Sequence, residues 1–397
     1  MIDAWAGVPN PSSHFSSRKM MLQQDDAVKE LTELWEEVLG VRPIRPDQNY
    51  FELGGTSLLA VFLFAQIEKR FDVELPLSTL IEAPTIAGLA RVLRGDETAP
   101  TWSPVVELQR GDSRPPFYCV HGAGGNVLIY RDLAHRLGSD QPVYGLQSPG
   151  LDGKEPVLTR IEDMASFYVS EVRRVQPHGP YFLGGYCMGG TIALEMAQQL
   201  KVRGEEVALL ALFDTINWAN VPADSVWGNV YHQGQRLWFH VGNFLLLNFA
   251  DKIRFFQEKL KALRSRTSIW RGMLLRRFAR SEPESRSESS ALAQVWETND
   301  SAALTYVPRR YAGVITDFRP MKQYARYSGE DLKWSRLALG GQRVVMLPVY
   351  PAGMLLEPFV KQLATALRVS IDGAFEADPV RSNKAHLTQI SEELSTS

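Results

Sequence analysis

The run Gly184-Gly185-Tyr186-Cys187-Met188-Gly189-Gly190 constrains the fold more than any other segment of the chain. It follows Tyr181–Gly184, an apolar stretch that reads as a buried strand, and opens Met188–Leu200, whose apolar residues recur at helical spacing. Passing from strand to helix within three residues needs a sharp, strained turn, and the glycines remove side chains that would crowd it. The alternation recurs on both sides. Strands are expected at Phe117–Val120, Val143–Leu146, Val207–Phe213, Val314–Phe318 and Val344–Leu347, and helices at Ile129–Leu137, Ile161–Val175 and Glu357–Leu367. Buried strands alternating with helices imply a mostly parallel sheet covered on both faces.

A different pattern precedes it. Val28, Leu31, Leu34, Trp35 and Val38 fall at helical spacing, and a loop with Pro43, Pro46 and Asp47 leads to Tyr50-Phe51-Glu52-Leu53-Gly54-Gly55-Thr56-Ser57-Leu58-Leu59. There Ser57 opens an apolar helix, either as an N-cap worth about 1 kcal/mol or as a functional hydroxyl. Leu77–Glu82 reads as a short third helix, and Pro84-Thr85 starts a fourth. Residues 25–95 hold 12 Asp/Glu against 7 Lys/Arg, a net of −5, which suits docking on basic surfaces or a merely solvated face. The polar segment 96–104 reads as a linker. The 11 residues between Leu93 and Val105 reach at most about 40 Å.

At 397 residues the chain is too long for one ordinary core, so two domains are expected. A net charge of −2 gives no general basic excess for nucleic acid. Two cysteines, Cys119 and Cys187, cannot build a disulfide framework, which reads as a cytoplasmic protein. No membrane span is expected, because the longest uncharged apolar run, 237–250, has only 14 residues. Residues 1–24 and 371–397 read as disordered. Residues 252–280 carry ten Lys/Arg against Glu258 alone, as a receiving surface for an acidic domain or phosphate, or as a solvated face.

The Leu-Gly-Gly-Thr-Ser-Leu run midway through a four-helix pattern resembles the attachment site of acyl and peptidyl carrier domains. The resemblance implies a covalent 4'-phosphopantetheine arm on Ser57, added by a phosphopantetheinyl transferase, with acyl or peptidyl groups held as thioesters. The glycine-flanked Cys187 resembles the Gly-x-Ser-x-Gly nucleophile elbow of α/β hydrolases, with cysteine for serine. His121-Gly122-Ala123-Gly124-Gly125, after the first buried strand, resembles the oxyanion-hole loop of the thioesterases that end nonribosomal peptide and polyketide synthetases. The resemblance implies oxyanion N–H donors at Ala123 and Met188 and the triad acid at Asp214, which ends the strand Leu210–Phe213. Asp317 and Asp331 are the alternatives for that acid. His121 and Cys119 read as packing residues.

Together the resemblance covers about residues 25–370 and implies a small all-α carrier domain followed by an α/β hydrolase domain (105–370) with a helical lid at about 220–300. Upstream synthetase modules and a thioester substrate are the implied partners.

One departure from the family pattern stands out. Where the family has Gly-x-His before Met/Leu-x-Glu-Pro, this chain reads Val349-Tyr350-Pro351-Ala352-Gly353-Met354-Leu355-Leu356-Glu357-Pro358. Proline falls on the histidine. None of the seven histidines (His14, His121, His135, His178, His232, His240, His386) replaces it by sequence. A cysteine at its ordinary pKa is a few per cent thiolate at pH 7, so acyl exchange at Cys187 is expected to survive this loss better than hydrolysis. The expected function is release or transfer through a Cys187 acyl-enzyme. The alternatives are a non-catalytic carrier-docking module and a hydrolase that clears misloaded carriers.

Overall fold

A computed structural model describes residues 24–98 and 102–376, apart from 113, 152–154, 219–220, 222–225, 248–287, 328 and 330–333. His14, His386, Asp331, the basic run 252–280 and the two terminal segments expected to be disordered lie wholly or largely outside the described residues. The chain divides into two compact units at Trp102/Ser103.

Among its described residues the first unit holds four helices: α1 (Gln24–Leu39), α2 (Ser57–Phe71), α3 (Thr79–Glu82) and α4 (Ile86–Arg94). Leu31, Leu34, Trp35 and Val38 of α1 are buried, as their spacing requires, whereas Val28 is half-buried and its neighbour Ala27 takes the core position. The loop before α2 is held by Tyr50. Its ring meets Trp35 edge-on at 5.2 Å, its hydroxyl donates to the Thr56 carbonyl (3.1 Å), and its N–H donates to the Pro84 carbonyl (2.7 Å). The ring lies so close over Gly55 that a Cβ there would fall within 2.2 Å of it, and Gly54 adopts φ +90°. Both glycines are therefore demanded by the local geometry.

Thr56, not Ser57, caps the helix: its Oγ1 accepts from Leu59 N at 3.3 Å, and Ser57 is the first helical residue. The reading of Ser57 as a plain N-cap is thereby set aside.

The second unit is a seven-stranded sheet of order β1-β3-β2-β4-β5-β6-β7, comprising β1 (Val105–Gln109), β2 (Phe117–Val120), β3 (Val143–Leu146), β4 (Tyr181–Tyr186), β5 (Val207–Phe213), β6 (Ile315–Pro320) and β7 (Gln342–Leu347). β1 pairs antiparallel with β3, and all other neighbours are parallel. Every residue of β2 is fully buried, so both faces of the sheet centre are covered. The helices are α5 (Arg131–Leu137), α6 (Ile161–Val175), α7 (Met188–Val202), α8 (Val226–Leu246), α9 (Glu288–Thr305) and α10 (Val360–Glu376). α6 packs on α7 and α10 on α5.

Two expectations need correction. The last helix starts at Val360 rather than Glu357, because Leu356–Phe359 form turns ahead of it. It also runs to Glu376, past the residue 370 boundary expected for order. Arg368 holds it there with a two-pronged pair to Asp140 (2.8 and 2.6 Å), while Ile371 is fully buried. A bidentate guanidinium–carboxylate pair is the stronger form of such contacts.

Candidate active site

Brought together at the carboxyl ends of the parallel strands are the loop after β2, the turn after β4 and the residue after β5. Open α/β sheets place their reactive groups at this edge. Cys187 occupies the β4–α7 turn with φ 57° and ψ −123°, a conformation an L-residue adopts only under constraint. The constraint is visible. A Cβ on Gly185 would lie 2.2 Å from the Gly189 backbone, one on Gly189 2.2 Å from the Val120 carbonyl, and one on Gly190 2.1 Å from Thr215 Oγ1. Cys187 N donates to the Phe213 carbonyl (3.0 Å), tying the turn to the end of β5.

The loop after β2 is fixed from three sides. His121 is fully buried; its Nδ1 lies 2.7 Å from the Gly122 carbonyl and its Nε2 2.7 Å from Tyr168 Oη. Burial presses its pKa down to about 4, so the neutral ring donates through Nδ1 and accepts at Nε2. As expected, His121 is a packing residue. Tyr130 Oη donates to the Val120 carbonyl (2.6 Å) and accepts from Tyr186 N (2.8 Å), binding β2 to the elbow. From α9, Asn299 Nδ2 donates to the Ala123 carbonyl (3.0 Å), and Trp296 lies against Gly124. Asn299 carried no sequence signal, because nothing in its neighbourhood marks it as facing the loop. Met188 N–H, at the start of α7, acts on the Cys187 thiol.

The thiol is not the readily ionised group expected. Cys187 keeps part of its surface accessible, yet protein crowds it enough to push its pKa up to about 12. Burial is the leading cause; Met188 N–H pulls the other way, and the carboxylates of Asp214 and Asp300 push further up. The pull of the α7 N-terminus is therefore outweighed, and the thiolate fraction near pH 7 falls far below a few per cent. Cys119 is a wholly buried core residue of β2, as expected.

Asp214 follows β5 with φ 44°, and its N–H donates to the Phe318 carbonyl (2.9 Å). Tyr186 pairs with Phe213 in the β4–β5 register, so Cys187 and Asp214 are the first residues beyond the ends of two neighbouring strands. Gln323, just after β6, donates from Nε2 to Asp214 Oδ1 at 2.8 Å. Burial lifts the Asp214 pKa to about 7; the Gln323 hydrogen bond opposes this, Asp317 adds to it and Arg319 opposes it. Asp317 is fully buried within β6, where its Oδ2 accepts from Arg319 (2.7 Å) and Gln342 (2.8 Å), so it belongs to a strand-level ion pair.

Position 351 is closed off. Pro351 is buried and begins a 3₁₀ turn, Pro351–Gly353. Asn243 of α8 grips the preceding peptide: Tyr350 N donates to Asn243 Oδ1 (2.9 Å) and Asn243 Nδ2 donates to the Tyr350 carbonyl (3.4 Å). The Tyr350 ring packs on Phe239 (5.1 Å) and against Gly242. His232 of α8 lies among Tyr324 (4.6 Å) and Tyr327 (5.7 Å). His178 is paired with Glu205 at 3.4 Å, beside the opposite end of β4.

The first unit suits a phosphate-linked group at residue 57. That residue opens a 15-residue helix whose cap is already supplied by Thr56, and helix N-termini favour anions. No cluster of three or more metal-ligating side chains occurs among the described residues. No helix among them is long and apolar enough to cross a membrane.

Comparison with known proteins gives two family matches: phosphopantetheine attachment site over residues 29–93 and thioesterase domain over residues 115–232. The chain is 39% identical over 211 residues to malpibaldin synthetase of Mortierella alpina, covering 52% of this chain and 4% of that protein. It is 41% identical over 184 residues to a dimodular nonribosomal peptide synthase of Bacillus subtilis, covering 46% and 8%. It thus spans a small fraction of the length of these relatives. A solved four-domain nonribosomal peptide synthetase, bound to AMP and glycine, aligns over 92% of this chain and 27% of its own, with a TM-score of 0.52 and 25% identity.

Proposed function

From a chain that holds a phosphopantetheine-attachment domain followed by a thioesterase domain of α/β-hydrolase fold, as nonribosomal-peptide-type synthetases do, we propose that Ser57 bears the arm and Cys187 receives its cargo. The bound arm supplies a thiol that presents acyl or peptidyl groups as thioesters. The observation that carries the reading is the strained Cys187 elbow, set between the Ala123 loop and Asp214. Sγ attacks the thioester carbonyl, and the N–H groups of Ala123 and Met188 stabilise the developing oxyanion. Such a donor is worth about 10²–10³ in rate. Release then goes to water slowly, or to a substrate amine. A phosphopantetheinyl transferase and upstream synthetase modules are the partners this requires.

A second reading, a carrier-docking module without catalysis, draws support from the thiol held up to about 12 and from the buried Pro351. Loading the full chain with an acyl-pantetheine donor and a broad-specificity transferase, then measuring intact mass, separates the two. Wild type should accept one arm with its acyl group, Ser57→Ala none, and the acyl group should map to Cys187 in wild type alone.

A further inference from the structure

With no triad histidine among the described residues, the site leaves its two proton transfers without an obvious acceptor. Cys187 must lose a proton to attack, and water must lose one to release the product. His121 is excluded, since its ring nitrogens are engaged by the Gly122 carbonyl and by Tyr168 Oη of α6. Asp317 is excluded by its pairing with Arg319 and Gln342 inside β6. Of the two carboxyls whose charge reaches the thiol, Asp300 is exposed on α9, whereas Asp214 is held by Gln323 one residue beyond the β4–β5 pairing that ends at Tyr186 and Phe213. The Asp214 charge reaches the Cys187 thiol directly, which places the carboxyl on the side of the site where a proton could pass between them.

Gln323 makes this arrangement different from an ordinary triad. Its amide occupies Asp214 Oδ1 at 2.8 Å, where an imidazole N–H would compete for the carboxylate. A glutamine can hold a carboxylate but cannot take a proton from it.

Resting on the acyl-enzyme reading above, we propose that Asp214 is itself the general base of this site, and that Gln323 is the positioning residue that fixes Oδ1 and leaves Oδ2 to carry the proton. In acylation the Cys187 S–H proton passes to Asp214 as the Sγ–C bond forms. The substrate C–S bond breaks, and the departing thiolate takes that proton back. In release, water gives a proton to Asp214 while its oxygen bonds to the carbonyl. The C–Sγ bond breaks, and the Cys187 thiolate recovers the proton.

The surroundings fit this role. A pKa lifted to about 7 places the carboxyl where a base works best near neutral pH. The groups acting on it are Gln323, Asp317 and Arg319 from the β6 side, and its own charge in turn acts on Tyr186 and Cys187 on the β4 side. Arg319 alone among them is cationic, and it is already paired with Asp317.

The test follows acyl-Cys187 breakdown in single turnover, on full-length protein acylated with an activated thioester, across pH 5–9. The wild-type rate should rise with pH, bend near 7 and level off. Asp214→Asn should be at least tenfold slower and lose the bend. Gln323→Leu should move the bend to higher pH with a similar plateau, because a hydrogen bond that favours the carboxylate is gone; a residue needed only for folding would lower the plateau and leave the bend in place. Breakdown that climbs with hydroxide without a bend, or ignores Asp214→Asn, overturns the proposal while leaving the acyl-enzyme intact. Absence of any acyl-Cys187 in the wild type removes both readings.

Discussion

Asp214 combines two unusual properties, a positive φ and a pKa raised to about 7 in the folded chain. The second has a stability consequence whose sign is fixed. Between the ordinary aspartate value near 4 and the folded value near 7, the folded state binds more protons than the unfolded state at this residue. Its contribution to stability is therefore fully present below pH 4 and is lost as pH rises through 7. Denaturant midpoints of Asp214→Asn relative to wild type should accordingly improve from pH 4 to pH 8; a constant difference would mean the carboxyl ionises freely. At position 351, histidine alone should not restore fast release. Gln323 already holds the carboxylate and Asn243 holds the Tyr350 peptide, so Pro351→His should leave acyl-Cys187 breakdown within about threefold of wild type. The combination with Gln323→Ala should be faster than either single change. Equal rates in all three would show that residue 351 does not reach Asp214.

The elbow of β4 and α7 is the element on which the site depends, and its glycines are steric requirements. Gly190→Ala should be destabilising by roughly 1–3 kcal/mol, the usual range for overpacking, through contact with the Thr215 side chain. Gly185→Ala should cost more, because its Cβ meets backbone that cannot rotate away; a thermal melt within a degree of wild type for either would refute the geometry. These glycines were legible in the sequence, as were six of the seven strands, because apolar runs bounded by turns carry the pattern directly. β1 was not named, since five residues of mixed exposure at a sheet edge lack that contrast. Asn299, Gln323 and Asn243 were equally silent: each acts across a long sequence separation through one amide, and single polar residues leave no periodic trace. The sequence also suggested a thiol of ordinary acidity at Cys187, because the burial and the two carboxylates that raise it are supplied only by folding.

At the scale of the whole molecule, the chain joins a carrier-type helical unit to a sheet unit whose carboxyl edge holds a cysteine, an aspartate and no triad histidine among the described residues. The pairing has a chemical logic if cargo moves from residue 57 to residue 187. Cysteine can exchange thioesters, whereas a serine without its histidine loses about 10⁶ in kcat. Cys187→Ser should therefore lower acyl transfer below the wild-type rate rather than raise it. The most direct test of the account is peptide mapping by mass spectrometry after the full chain has been converted to its acyl-pantetheine form and incubated. The account predicts acyl label on Ser57 first and on Cys187 later in wild type, on Ser57 alone in Cys187→Ala, and on neither in Ser57→Ala. Label that stays on Ser57 indefinitely in wild type, or reaches another residue unchanged by Cys187→Ala, would contradict it.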